Sequence, residues 1–355
     1  MPKLFVSALE PSSNIHLREL KKHLKNIEFI GIFEQDLGKP LYDPREFSVM
    51  GFSDVFSKLK FFYQANKKMA KLAMQADLVL LMDASSFHIP LAKNIKKLDP
   101  KKPIIYYILP QIWAWKPWRG KKIEQYCDQL GAILPFEVPF YRKKATYVGH
   151  PLLDEITYQK QSPKGEGIVF MPGSRRGEID RIFPIFAQAA KQIQDKKKIL
   201  VVPQAFKNLE LKSIYGEQIH QFEISFDAHK SLYEAEFAFI CSGTATLEAA
   251  LIGTPFILGY KTRAIDFMIA KVFVKLHYIG LANIFYNALN GETPGRGKTQ
   301  LHKELIQNDL NAHNLIEQYY RLDREKFLIE SGRIKKYLKY GSAENIAKWI
   351  KLTLF

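Results

Sequence analysis

Short, nearly unbroken apolar runs alternate along this chain with longer stretches whose apolar residues recur every three or four positions. The first pattern predicts strands buried on both faces and the second predicts amphipathic helices. In the first half, strands are expected at Lys3–Ala8, Ile27–Phe33, Asp77–Met82, Pro103–Leu109, Gly131–Leu134 and Ala145–Val148. Helical spacing is expected at Asn14–Leu24, Phe52–Met74 and Ile89–Leu98. Apolar strands separated by helices are the pattern of a parallel sheet covered on both sides.

The composition shifts to Gln, Lys, Ser, Pro and Gly over Thr157–Gly167, the best linker candidate. The alternation then restarts. Strands are expected at Gly167–Met171, Lys198–Val202, Ile219–Ile224, Ala235–Cys241 and Pro255–Gly259, with helices at Glu178–Gln194 and Thr244–Leu251. The tail, Asn311–Phe355, is helical in pattern. A length of 355 residues fits two domains. The expected fold class is α/β, with two doubly wound Rossmann-like domains facing a central cleft. Ligands of such sheets bind beyond the carboxyl ends of the strands, so chemistry is sought in the loops there.

Charge and cysteines narrow the picture. With 52 Lys and Arg against 36 Asp and Glu, the formal net charge is +16. A field of that sign gathers nucleic acid, acidic membrane surfaces or phosphorylated substrates, and a lysine-rich solvated surface explains it equally well. Cys127 and Cys241, the only cysteines, adjoin apolar runs and read as buried residues, which leaves no disulfide framework and no zinc spacing. The apolar stretch Leu4–Leu9 is too short for a signal-peptide core, and Phe237–Tyr260 is interrupted by Glu248, glycines and Pro255, so neither reads as a targeting or spanning segment.

Four segments carry candidate chemistry. Phe170–Ile179 reads strand, loop, helix, with Gly173, Ser174 and Arg175 in the loop. Glycine admits a close backbone approach, the helix start offers free N–H groups, and arginine adds a fork for phosphate oxygens; an ordinary turn with surface arginines is the plainer account. Ile240–Ala250 repeats the layout with Ser242, Gly243 and Thr244, then Thr246, and Glu248 one turn further on to accept from a ribose diol. A capping box explains that segment alone equally well; two such segments together favour a nucleotide diphosphate. Asp83 ends the most apolar strand of the first half and is either a general base or a helix cap. Trp113, Trp115 and Trp118 crowd the loop after another buried strand, either as packing or as the wall of a sugar site.

Taken in order, Val49–Phe52, Gln111–Trp115, Leu134–Glu137, Val148–Pro151, Pro172–Arg175 and Ser242–Glu248 resemble the lipid-A-disaccharide synthase family. The matches run from about Phe5 to Asn283. The resemblance implies a GT-B architecture and an inverting reaction. UDP-2,3-diacylglucosamine would give its sugar to the 6-hydroxyl of 2,3-diacylglucosamine 1-phosphate, yielding a β-1,6-linked disaccharide 1-phosphate and UDP. It implies an N-terminal acceptor domain over residues 1–156, a UDP-sugar domain over 157–335, and a last helix over 336–355 that packs back on the first domain. The family's Gly-Glu-Ala-Ser-Gly-Asp loop reads Leu9-Glu10-Pro11-Ser12-Ser13-Asn14 here, keeping Glu10 and Ser12. Its Asp-Ala-Pro-Asp-Phe-Asn reads Asp83-Ala84-Ser85-Ser86-Phe87-His88, keeping the first Asp and losing the second.

The expected roles follow. Asp83 and Arg175 are catalytic. Gly173, Ser174, Arg175, Ser242, Gly243, Thr244, Thr246, Glu248 and, from the family's Leu-Pro-Asn, Asn283 hold the UDP-sugar. Glu10, Ser12, Trp113 and Trp115 hold the acceptor. No Asp-x-Asp occurs in the chain, so no metal and no other cofactor is expected. Val49, Met50, Phe52, Phe56, Phe61 and Phe62, interleaved with Lys58 and Lys60, suit contact with the cytoplasmic face of an anionic inner membrane, or else a core helix; Ile265–Leu276 is a weaker second stretch. Competing readings are another UDP-sugar enzyme of the same fold, a basic nucleic-acid-binding protein without a recognised motif, and an inactive membrane-bound scaffold.

Overall fold

A computed structural model describes residues 1–44, 55–142, 144–263 and 276–355, with side chains of its second helix from Phe61 onward. The chain divides into two compact units, Met1–Glu155 with Leu338–Phe355, and Ile156–Tyr337.

The first unit runs β1 (Lys3–Ala8), α1 (Pro11–Lys22), β2 (Glu28–Ile32), α2 (Val55–Ala73), β3 (Leu78–Met82), α3 (Ser85–Leu98), β4 (Ile104–Tyr107), α4 (Trp118–Tyr126), β5 (Gln129–Ala132), β6 (Ala145–Tyr147) and α5 (Pro151–Glu155). The second runs β7 (Ile168–Met171), α6 (Arg176–Gln192), β8 (Lys198–Val201), α7 (Leu211–Tyr215), β9 (Glu223–Ser225), α8 (Ala228–Glu234), β10 (Phe237–Cys241), α9 (Thr244–Ile252), β11 (Phe256–Tyr260), α10 (Leu281–Leu289), β12 (Glu304–Ile306), α11 (Ala312–Arg321) and α12 (Arg324–Tyr337). The last helix, α13 (Ser342–Leu354), belongs to the first unit.

Each unit has one six-stranded parallel sheet, ordered β2-β1-β3-β4-β5-β6 and β12-β11-β10-β7-β8-β9. In the first sheet the order reverses between β1 and β3, paired from Leu4↔Leu78 to Ala8↔Met82. In the second it reverses between β7 and β10, paired from Phe237↔Ile168 to Ile240↔Met171. Loops diverge at such reversals and leave a crevice beyond the strand ends. Glu10 and Asp83 follow one reversal; Gly173 and Ser242 follow the other.

Alternation along the strands builds two cores per sheet. Leu4, Val6, Leu78, Leu80 and Tyr107 face α1 and α13. Phe5, Val79, Leu81, Ile104 and Tyr106 face α2, α3 and α4. In the second unit one face is filled by aromatics: Phe170 stacks on Phe239 at 5.2 Å, and Phe183, Phe186 and Phe222 close around them. Burying each such ring contributes roughly 1.5–3 kcal/mol. Both cysteines are buried, and burial pushes the Cys241 thiol up to about 12, so neither is a reactive nucleophile.

Three expectations change. The strand expected at Ile219–Ile224 is a helical turn over Glu217–Gln221, followed by the short β9. Helix α3 begins at Ser85, four residues before the expected start, with Pro90 inside it. The expected linker is anchored at Lys160, whose Nζ donates to the carbonyls of Tyr233 and Ala235, and burial pulls its ammonium down to about 8. No helix among the described residues is long and apolar enough to cross a membrane.

Candidate active site

The crevice of the first sheet is organised around Asp83. Strand β3 delivers it at the carboxyl end, and the chain then turns through two left-handed residues, Asp83 at φ 57° and Ala84 at φ 30°. Non-glycine residues hold that conformation only where surroundings impose it, at about 1–3 kcal/mol each. The surroundings here are explicit. The Asp83 carbonyl accepts from the Tyr106 hydroxyl and meets His88 Nδ1 at 2.9 Å. His88 Nε2 in turn lies 2.8 Å from the buried Ser7 hydroxyl. Burial holds His88 neutral, its imidazole down to about 4, and keeps Tyr106 protonated. A rigid, uncharged clamp thus fixes the backbone and leaves the carboxylate half-exposed.

That carboxyl sits above the usual carboxylate range. Burial is the main cause and the nearby charge of Glu10 adds to it; the Ala84 N–H and His16 oppose it. Asp83 does not cap α3: its N-cap is Ala84, without a side-chain hydrogen bond. Glu10 is exposed and Ser12 half-buried in the loop after β1. Asn14, at the last position of that loop motif, is fully buried and holds the loop together. Its amide donates to Ala8 and Glu10 carbonyls at 2.9 and 3.0 Å and accepts from Glu34 N–H at 2.9 Å. His16 pairs with Glu155, and His150 is buried beside it, held neutral down to about 3 by burial.

Trp113 is half-buried with its ring edge-on to Phe136 at 5.2 Å, and its Nε1 is buried without a partner. Trp115 is half-buried, with the Lys116 ammonium over its ring at 5.1 Å. The loop leads into α4, where Arg119 donates to Ser85 at 2.8 Å and ties it to the start of α3. Glu137 is buried, accepts the N–H groups of Ile133 and Leu134 at 3.0 and 3.1 Å, and is pushed up to about 8 by burial. Gly149 has a structural reason: at φ 99°, a Cβ would lie 2.8 Å from the Lys339 carbonyl oxygen.

The crevice of the second sheet is made mostly of backbone. Gly173 adopts φ 113°, and a Cβ there would lie 2.8 Å from Glu178 Oε2. Ser174 and Arg175 are exposed, and the Arg175 guanidinium, 83% exposed, reaches Glu178 at 3.1 Å. Beside it, Ser242 leads to Gly243 at φ 150° and Thr244, both exposed. Neither α6 nor α9 has a side-chain cap, so the capping-box account of Thr244 and Glu248 does not hold and both helices present uncapped N–H groups. Glu248 is largely buried and lies 3.4 Å from His229 Nε2, at the start of α8.

Two expected ligands are already spent. Thr246 is buried and its hydroxyl donates to the Gly243 carbonyl at 2.9 Å, inside its own helix. Asn283 is buried; its amide donates to His302 O and Glu304, and its oxygen accepts from Leu301 and His302 N–H. It binds the protein and offers no free group to a ligand. Among the membrane-facing candidates, Val49, Met50, Phe52 and the side chain of Phe56 lie outside the described residues, as does most of Ile265–Leu276. Phe61 is half-buried against the core, and Phe62 is exposed, edge-on to Phe61 and Phe87. His229, His88, Tyr106 and Asn14 were not anticipated as site residues; the first three join the site through tertiary contacts that no local spacing announces. Among the described residues, no group of three or more His, Cys, Asp or Glu could hold a metal ion.

Two Rossmann-like sheets with crevices at both order reversals define a GT-B glycosyltransferase architecture. Solved structures of similar fold include the S. aureus MnaA-UDP co-structure, with a TM-score of 0.63 and 14% identity over 100% of this chain and 98% of that one. Another is Os79 from O. sativa in complex with UDP and deoxynivalenol-3-glucoside, with a TM-score of 0.61 and 11% identity over 100% of both chains. The family model for lipid-A-disaccharide synthetase matches residues 4–347. A lipid-A-disaccharide synthase of Helicobacter pylori is 63% identical over 98% of this chain and 98% of its own length. One from Campylobacter jejuni is 45% identical over 98% and 99%. The chain belongs to the lipid-A-disaccharide synthase family and is a glycosyltransferase of lipid A biosynthesis. Membership sets aside the nucleic-acid-binding reading.

Proposed function

We propose that the enzyme transfers the sugar of UDP-2,3-diacylglucosamine to the 6-hydroxyl of 2,3-diacylglucosamine 1-phosphate, with inversion, forming the β-1,6 disaccharide 1-phosphate and UDP. The observation that carries the proposal is the Asp83 carboxylate, half-exposed on a left-handed turn that a neutral Tyr106–His88 clamp holds rigid. A hydroxyl is a poor nucleophile at neutral pH, and a placed base removes its proton as the new bond forms, a contribution of about 10²–10⁴. The proton goes to Asp83; the electron pair of the hydroxyl oxygen attacks the anomeric carbon from the face opposite the departing phosphate. Glu10 keeps that base strong by its charge.

In the other unit, Arg175 and the uncapped N–H groups after Gly173 and Ser242 take the charge that grows on the leaving β-phosphate. Ser174, Gly243 and Thr244 complete that grip, and Glu248, steadied by His229, accepts from the ribose diol. Ser12, Trp113 and Trp115 flank the acceptor sugar. Thr246 and Asn283 are positioning residues, since their polar atoms are bound within the fold. Acylated substrates have to be met at a lipid surface, so the enzyme works at the cytoplasmic face of the anionic inner membrane, reached through Phe62 and the residues around 49–56.

The test is product analysis with the two acylated sugars in mixed micelles. Release of UDP together with a β-linked disaccharide 1-phosphate supports the reading. UDP release without a disaccharide, or an α-linked product, refutes it.

A further inference from the structure

Helices α2 and α3 leave between them a cavity of about 880 Å³, of whose lining only Glu10 and Phe62 have been given roles above. Its walls are Phe62 and Tyr63 from α2 and Phe87 and Pro90 from α3. One end opens at Glu10, Ala84 and Ser86, beside Asp83; toward the other end stand Lys93 and Lys97. Ser86, Pro90, Lys93 and Lys97 share one helical face, about 16 Å long at 1.5 Å per residue. The floor is fixed: buried Asn66 donates to the Phe87 carbonyl at 3.0 Å and accepts from Asn94 at 2.8 Å.

Resting on the functional reading above, we propose that this cavity takes one acyl chain of the acceptor and that Lys93 and Lys97 hold its 1-phosphate. Three observations support this occupant. Leu9, Pro11, Phe62, Tyr63, Phe87 and Pro90 give the cavity an apolar side long enough for an alkyl chain, with polar groups at the floor and the two ends. Lys93 and Lys97 are exposed, and among the described residues neither has an acidic partner. Cα–Cβ bonds on a helix lean toward its N-terminus, which for α3 is the Asp83 end, so the two lysine stems start out in that direction. A sugar with its 6-hydroxyl at Asp83 would present its opposite, phosphorylated end to them.

The experiment uses the full chain in mixed micelles. Pro90→Trp fills the cavity from an exposed position. It is expected to raise KM for a long-chain acceptor about tenfold or more, leaving KM for the donor and for a short-chain soluble acceptor unchanged. Equal effects on both acceptors, or an effect on the donor instead, overturn the proposal. The double variant Lys93→Gln, Lys97→Gln is expected to abolish the preference for an acceptor bearing the 1-phosphate over one lacking it, and Lys→Arg at both positions to retain it. If that preference survives while binding to anionic phosphatidylglycerol vesicles falls, the lysines serve lipid headgroups and the phosphate assignment is wrong.

A third variant guards against misfolding of the first. Tyr63 is 60% exposed, so Tyr63→Trp places a reporter at the rim. Taken as the difference from wild type, which already carries Trp113 and Trp115, its emission is expected to shift blue with long-chain acylated glucosamine 1-phosphate and not with UDP; no such difference at saturating lipid overturns the proposal. A wild-type enzyme that makes no disaccharide while this shift persists would sink the functional reading and leave the cavity assignment standing.

Discussion

The two crevices occupy the same place in similar sheets and are built from opposite materials. Around Asp83, buried side chains do the positioning: Tyr106 and His88, backed by Ser7, hold a turn that its own residues disfavour, and Asn14 holds the neighbouring loop after β1. Around Gly173 and Gly243, the backbone does it, with exposed Arg175 as the charged addition. The difference fits the tasks proposed for them. A general base needs one atom held in one orientation at a raised pKa, which takes a rigid, partly dry setting. A diphosphate is a large, diffuse charge that N–H groups and a mobile guanidinium satisfy without a shaped pocket.

The strongest way to break this contrast is Asp83→Asn. Turnover should fall about 10²–10⁴-fold while UDP still binds, measured by steady-state kinetics and titration; near-normal turnover would remove Asp83 from its role. Arg175→Ala should lower kcat/KM for the donor by about 10²-fold, with no change in Tm because the side chain is exposed. Unchanged kinetic constants would show that backbone alone carries the phosphate. Tyr106→Phe sharpens the other side. It leaves the Asp83 carbonyl to His88 alone, and should cost about 1–2 kcal/mol of stability and about tenfold in kcat. The pH profile of kcat/KM should bend above the usual carboxylate range on its acid limb, since the base form is lost as pH falls through a raised pKa. Restoring Tyr106 but replacing Glu10 by Gln should move that bend downward.

A separate expectation concerns stability alone. His88, His150 and His302 are held neutral in the fold, at about 4, 3 and 3. The unfolded chain takes up these protons near pH 6.5, the folded one only far below. Stability is therefore full above pH 6.5 and declines as pH falls, by about 1.4 kcal/mol per pH unit for each histidine. Thermal melts between pH 7 and 5 measure it; a flat Tm would mean these imidazoles are already charged in the fold.

Much of the scaffold was legible in the pattern of apolar residues. Leu78–Met82 and Phe237–Cys241 read as buried strands because nothing else packs unbroken apolar runs between helices. Helix α3 starts four residues before its expected start, with Pro90 inside it, and no expectation covered α4, α10 or β12. Asp83 was visible as a carboxylate at a strand end. The clamp behind it was not: His88 meets Ser7 across 81 residues of sequence, and only the folded sheet pairs them. Asn283 and Thr246 show the converse. Motif position suggested ligands, and hydrogen bonding inside the fold uses their polar atoms instead.

The position of α13 has a consequence for how the protein is made. Ile346, Ala347 and Ile350 fill the face of the first sheet beneath Leu4, Val6 and Leu80, and Asp154 receives the N–H groups of Gly341 and Ala343 that begin the helix. Domains usually form in the order in which they leave the ribosome. Here the second unit, continuous from Ile156 to Tyr337, has all its residues before the first does. The half translated first waits, with one apolar side uncovered, until synthesis has passed Leu354. A nascent chain stalled short of that point would carry a finished second unit and an open, aggregation-prone first one.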